Sequence, residues 1–162
     1  MKPLLFPRVI QLDKSDERIY PLAAQAGEWA VTGSFHFHNI DPATLSGKQK
    51  QAFAHGFLGT NSFGWTTLVC IGEITQQELD DVIQSLAKHL VSQFGAPDIA
   101  TAIPAAREET EFAMSLCEHD TNTLLTIERG YIEEGIEEKF KVIKPNAGDH
   151  AKVKLWGPDT DA

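Results

Sequence analysis

Cysteine is scarce in this chain: Cys70 and Cys117 are the only two among 162 residues. They stand far apart, and a domain of this length closes a core without cross-links. Both therefore read as reduced thiols, and Cys70, inside the apolar run TTLVCIG, reads as buried. Positive charge is also short. Lys and Arg number 14 against 23 Asp and Glu, a net charge of -9. The densest basic stretch, Lys139, Lys141 and Lys144, adjoins Glu133, Glu134, Glu137 and Glu138. That mean field makes nucleic acid and anionic membrane poor partners. No apolar run reaches the roughly 18 residues that a membrane span needs. At the N-terminus Pro3 and Pro7 bracket only Leu4, Leu5 and Phe6, too short a core for a signal peptide. The chain is accordingly expected to be cytoplasmic.

Reactive motifs are missing as well. There is no HExxH, CxxC, GxSxG or GxGxxG pattern, and no GK[ST] phosphate loop. No cofactor is expected, and the reading leans away from an enzyme. Internal repeats and low-complexity segments are absent too.

What is present suits one globular domain: 42% hydrophobic, 9% aromatic and 23% charged residues. LLFPRVIQL reads as extended, with Pro7 marking an edge or bulge. DKSDE reads as a turn and RIYPL as a second extended piece. EWAVTGSFHF reads as a strand with Trp29, Val31, Gly33, Phe35 and Phe37 on a core face. Its other face carries Ala30, Thr32, Ser34, His36 and His38. A short helix over about 46–54 is ended by Gly56, and TTLVCIGEI reads as a central strand.

Residues 76–94 predict the clearest helix, with a Thr75–Glu78 capping box and a stop at Gly95. Leu79, Val82, Ile83, Leu86, Leu90, Val91 and Phe94 recur on its apolar face. PDIATAI reads as a connector, with Pro104 in the first turn of another helix. Ala105, Ala106, Phe112, Ala113, Leu116 and Cys117 give that helix a narrow apolar face. TLLTIERGYI and GIEEKFKVI read as a hairpin turning at Glu133–Glu134–Gly135. The sum is an α+β fold: a single domain, a largely antiparallel sheet and two main helices packed on one face. It spans residues 1–145, followed by an extended tail, 146–162, that carries Val153, Leu155 and Trp156.

Four constellations could carry chemistry. His36 and His38, two apart on a strand, would project from one face as half of a metal site. The loop GFLGTNSFGW could line a small-molecule pocket through Gly59, Thr60, Asn61, Ser62 and Trp65. It precedes a strand rather than a helix, so it lacks a phosphate loop's geometry, and a compact loop pinned by its own aromatics is the plainer reading. The carboxylate pairs Glu108–Glu109, Glu133–Glu134 and Glu137–Glu138 read as solvated surface. Cys117 and His119 are helix neighbours pointing apart, so they form no dyad.

The segments LDKSDERIYPLAAQAGEWAVTGSFHF, GFLGTNSFGWTTLV, FGAPD with PAAREE, SLCEHDTNTLLTIER and GIEEKFKVIKP carry a resemblance up to about Pro145. The chain resembles a mostly alphaproteobacterial family classed only as a domain of unknown function. The resemblance implies a helper in the assembly or regulation of a molybdenum-dependent formate dehydrogenase system, and no site residues.

Two functions follow as expectations. The first is a non-catalytic interaction or accessory protein, a homodimer with a possible further protein partner, whose self-association weakens without residues 147–162. The second is a small-molecule or metal binder, with an enzyme as one form of it, whose site joins the Gly56–Trp65 loop to the His36/His38 face.

Overall fold

The computed structural model describes residues 3–11 and 15–143. The tail, 146–162, lies outside the described residues. The elements in chain order are β1 (Leu4–Val9), α1 (Ser15–Ile19), β2 (Ala30–Val31), α2 (Gly47–His55), β3 (Phe57–Gly59), β4 (Trp65–Thr66) and β5 (Val69–Ile74). α3 (Gln76–Phe94), α4 (Ile99–Ser115), β6 (Leu124–Ile132) and β7 (Gly135–Ile143) complete them. One antiparallel sheet has the order β1-β5-β6-β7, and a smaller one the order β2-β3-β4. The α+β expectation holds, and β5 is an internal strand as its apolar run predicts.

α3 forms where local chemistry demands it. Glu78 N–H donates to Thr75 Oγ1 at 3.1 Å, and Thr75 N–H donates to Glu78 Oε1 at 2.8 Å. Gly95 ends the helix at φ 80, a conformation in which a Cβ is strained. Leu79, Val82, Ile83, Leu86 and Ala87 are buried, but Phe94 is 39% exposed. α4 packs on α3 through small residues: Ala102, Ala106 and Ala113 are at most 2% exposed. Between them these contacts assemble a core with Phe6, Val31, Phe37, Phe53 and Trp65. A second apolar cluster joins Val9, Phe57, Val69, Ile71, Leu125 and Ile127.

Four local expectations change. Ser15–Ile19 is helical rather than a turn leading into an extended piece. Asp98 starts α4, accepting from Thr101 N–H at 2.8 Å, so PDIATAI is mostly helix and Pro104 lies inside it. GFLGTNSFGW includes β3 and the first residue of β4, with the two strands paired at Phe57↔Thr66 and Leu58↔Trp65. The strand over EWAVTGSFHF ends at Val31. Gly33, at φ 83, reverses the backbone into a 3-10 helix, Ser34–Phe37. Alternation is a strand signal only while the chain stays extended, and a positive φ breaks it.

Candidate functional site: a histidine cleft and an open strand edge

The Gly56–Trp65 hairpin closes around a carboxylate of the same chain. Asn61 N–H and Ser62 N–H donate to Glu28 Oε1 at 2.8 and 2.9 Å, and Ser62 Oγ donates to Oε2 at 2.6 Å. Gln25 N–H adds a fourth bond, 2.6 Å from Oε2. Gly59 lies so close to this carboxylate that a Cβ there would overlap it. Thr60 is buried, with its hydroxyl on Trp29 O and its carbonyl accepting from Ser85 Oγ. Trp65 is 5% exposed and belongs to the core. The structure thus gathers Gly59, Thr60, Asn61, Ser62 and Trp65, but Glu28 occupies the backbone donors of Asn61 and Ser62. Thr60 and Asn61 still face an open cleft of about 300 Å³, shared with Glu28, Glu78, Asp81 and Ser85.

His36 and His38 do not form a pair on a strand face. Successive residues of a 3-10 helix turn by about 120°, so positions two apart diverge. His36 turns inward, with its ring 5.0 Å from Phe37, 5.4 Å from Trp65 and 5.5 Å from Phe94. His38 is exposed. Among the described residues no group of three or more His, Cys, Asp and Glu side chains is placed to hold a metal ion.

His36 instead shares a cleft of about 270 Å³ with His89, Phe35, Asn39, Ile40, Gln93 and Phe94. His89 stacks flat on Phe63, with ring centroids 3.7 Å apart and planes 2° from parallel. Burial holds the His36 imidazole below its ordinary pKa, with a further push from the Arg129 charge. Burial and the neighbouring His36 do the same to His89. Within its cleft His36 Nδ1 is sealed from solvent and has no hydrogen-bond partner. His89 escapes a sequence reading because it lies at the margin of the α3 apolar face. Its spacing from Val82, Leu86 and Gln93 is the one available signal.

A family model described as a family of unknown function, DUF6505, matches residues 4–159. The chain belongs to this family. The match runs past Pro145, beyond the segments that carry the resemblance in the sequence. No curated protein and no solved structure matches the chain.

In this DUF6505 member the most heavily bonded side chain among the described residues is one with no local signal in the sequence. Arg129, on β6, is 4% exposed. Nη1 donates to Phe53 O at 2.6 Å and Ala52 O at 3.3 Å. Nη2 donates to Thr32 O at 2.6 Å and Gly56 O at 2.9 Å. Nε reaches Ser34 Oγ at 2.7 Å and Glu138 Oε2 at 3.3 Å. All five guanidinium N–H groups are engaged. The cation closes the C-terminal end of α2, where free carbonyls and the helix dipole favour it.

Glu138 also faces α4. Burial first, then the charges of Glu138 and Glu108, push the Glu109 carboxyl up to about 7. Glu109 is half-buried rather than part of a solvated face. Cys117 is buried as expected, but α4 ends at Ser115, so this thiol lies past the helix and not on its apolar face. It is 5% exposed, and burial pushes its thiol up to about 12, where it is no nucleophile at neutral pH. No described helix is long and apolar enough to cross a membrane.

The two edges of the large sheet differ. Beside β1, which contains Pro7, runs the segment around Glu28: Val9 N–H donates to Glu28 O at 2.8 Å and Gly27 N–H to Val9 O at 2.9 Å. β7 pairs with β6 from Leu124↔Ile143 to Ile132↔Gly135, and among the described residues nothing pairs with its other side. Val142 is 39% and Ile143 47% exposed.

Proposed function

We propose that the protein works by association, as a homodimer joined through antiparallel pairing of β7 with β7 of a second copy. The observation that carries this reading is the unpaired outer edge of a nine-residue strand whose charge order complements itself. The closing pair of the β6–β7 hairpin is Ile132↔Gly135. Alternate backbone groups point toward opposite neighbours, so those of Ile136, Glu138, Phe140 and Val142 serve the free edge.

Only registers that oppose these outward residues to one another satisfy the edge. Centred on Lys139, such a register sets Glu137 opposite Lys141 twice and Ile136 opposite Val142 twice, and overlaps the whole strand. Its one like pair, Lys139 with itself, lies on the exposed face. Centring on Glu138 would oppose two carboxylates beside Glu109, and centring on Phe140 would oppose Lys139 to Lys141 twice. Strand addition at an open edge is a common mode of recognition.

A dimer of this kind suits a non-catalytic accessory role. The formate dehydrogenase system implied by the resemblance is the client to try. The test uses the full chain. Wild type is expected to sediment as a dimer. Lys139→Cys is expected to form a disulfide-linked dimer under mild oxidation, because residues opposite one another lie within disulfide reach. Val142→Pro removes an outward N–H and is expected to give a folded monomer with a cooperative melt that no longer depends on protein concentration. A monomeric wild type, or a dimer that survives Val142→Pro, overturns the reading.

A further inference from the structure

Three features converge on the cleft between the Ser34–Phe37 turn and the last turn of α3. Phe94 leaves the core face that its spacing predicts and is 39% exposed. Its ring meets Phe35 at 5.3 Å, His36 at 5.5 Å and His89 at 5.4 Å, so one exposed aromatic ties the cleft's apolar and imidazole walls together. Phe63 stacks on His89 from a backbone φ of 57, a left-handed conformation unfavourable for a bulky side chain. Such strain costs on the order of 1–3 kcal/mol and clusters at ligand clamps. His36 Nδ1 is a buried polar atom without a partner, and groups of that kind are rare in folded proteins.

The walls also say what the cleft excludes. No Asp, Glu, Lys or Arg lines it. A phosphate or carboxylate would find no counter-charge and would lose its hydration. A volume of about 270 Å³ accommodates one small ring system and excludes a nucleotide or a flavin. Aromatic edges and faces favour a flat ring. Each neutral imidazole offers one acceptor nitrogen, so a guest with an O–H or N–H has a partner waiting.

We propose that this cleft binds a small, uncharged, flat aromatic molecule carrying one hydrogen-bond donor, of the phenol or indole type. The guest packs against Phe94 and Phe35 and directs its donor to an imidazole nitrogen. Burial keeps both histidines neutral at neutral pH, which suits an uncharged guest. Since Nδ1 is closed off, His36 must turn to meet a donor, and Trp65, 5.4 Å away and edge-on, registers the movement.

The probes are phenol, indole and, as the charged counterpart, benzoate. Binding is followed in the intact protein by the NMR signals of the His36, His89 and Trp65 rings. Phenol or indole is expected to give saturable shifts at both histidine rings, with benzoate weaker by about tenfold. Phe94→Ala, at a half-exposed site, is expected to keep the melting temperature and to weaken phenol binding by about fivefold or more. His89→Leu is expected to weaken it too while preserving the apolar wall. The monomeric Val142→Pro chain should bind as wild type does, which separates this proposal from the dimer. Absence of saturable shifts with phenol and indole overturns it. So does benzoate binding of equal strength, or phenol binding unchanged in both Phe94→Ala and His89→Leu.

Discussion

Phe37 touches two buried polar groups of opposite character. Arg129 stands 5.8 Å over its ring with every guanidinium N–H engaged. His36 stands 5.0 Å away with Nδ1 sealed and unpartnered. The same aromatic core therefore borders one saturated and one unsaturated polar site. Saturation turns a charge into a structural fastener: Arg129 binds the Thr32–Ser34 segment, the end of α2 and β7 to one point. His36 gives the fold ring contacts but no hydrogen bond through Nδ1, and only a turn of its ring would present that atom to a guest.

Breaking the saturated side should have the largest effect. Arg129→Leu leaves the carbonyls of Thr32, Ala52, Phe53 and Gly56 without this donor. A loss of about 3–5 kcal/mol in urea unfolding is expected. A loss below about 1 kcal/mol would erase the contrast. Glu28→Ala is a second fastener removed. It strands the N–H groups of Gln25, Asn61 and Ser62, and about 2 kcal/mol should be lost in the same measurement.

Glu109 sharpens the comparison through pH. Its folded pKa of about 7 lies above the ordinary 4.5. Below 4.5 both folded and unfolded chains hold the proton, and no penalty exists. Between 4.5 and 7 the unfolded chain ionises first, so stability falls as pH rises, and above 7 the penalty is complete. Glu109→Gln should therefore stabilise the protein by about 1–2 kcal/mol at pH 9, after allowance for solvent screening, and by almost nothing at pH 4. Equal effects at both pH values would deny the raised pKa of Glu109.

His36→Leu should have the smallest effect at pH 8, within about 1 kcal/mol, because no hydrogen bond of Nδ1 is lost. Its folded pKa is lowered, so wild-type stability is full above the ordinary 6.5 and declines as pH falls below that value. Melting curves at pH 8 and pH 5 should show the variant losing less than wild type on acidification.

Much of the frame is legible in the sequence. α3 is, because its capping box, apolar spacing and terminal Gly95 all act within a few residues of one another. The β6–β7 hairpin is, because alternation and a Glu133–Glu134–Gly135 turn are local as well. The engagement of the Gly59–Trp65 loop with Glu28 is not legible there, since Glu28 lies 33 and 34 residues from Asn61 and Ser62. The His36/His38 pair failed at a single residue: Gly33, at a positive φ, turned an alternating pattern into a 3-10 helix.

The chain on its own thus determined its fold class, its principal helices and the acidity of its surface, since each depends on near neighbours or on composition. Tertiary structure alone decided what Arg129 and His36 are. The carbonyls that satisfy Arg129 come from positions 73 to 97 residues distant. The rings that enclose His36 come from the β3–β4 hairpin, α3 and its own turn. Hydrogen bonding and burial are properties of what surrounds a side chain, and those surroundings exist only after the backbone has closed.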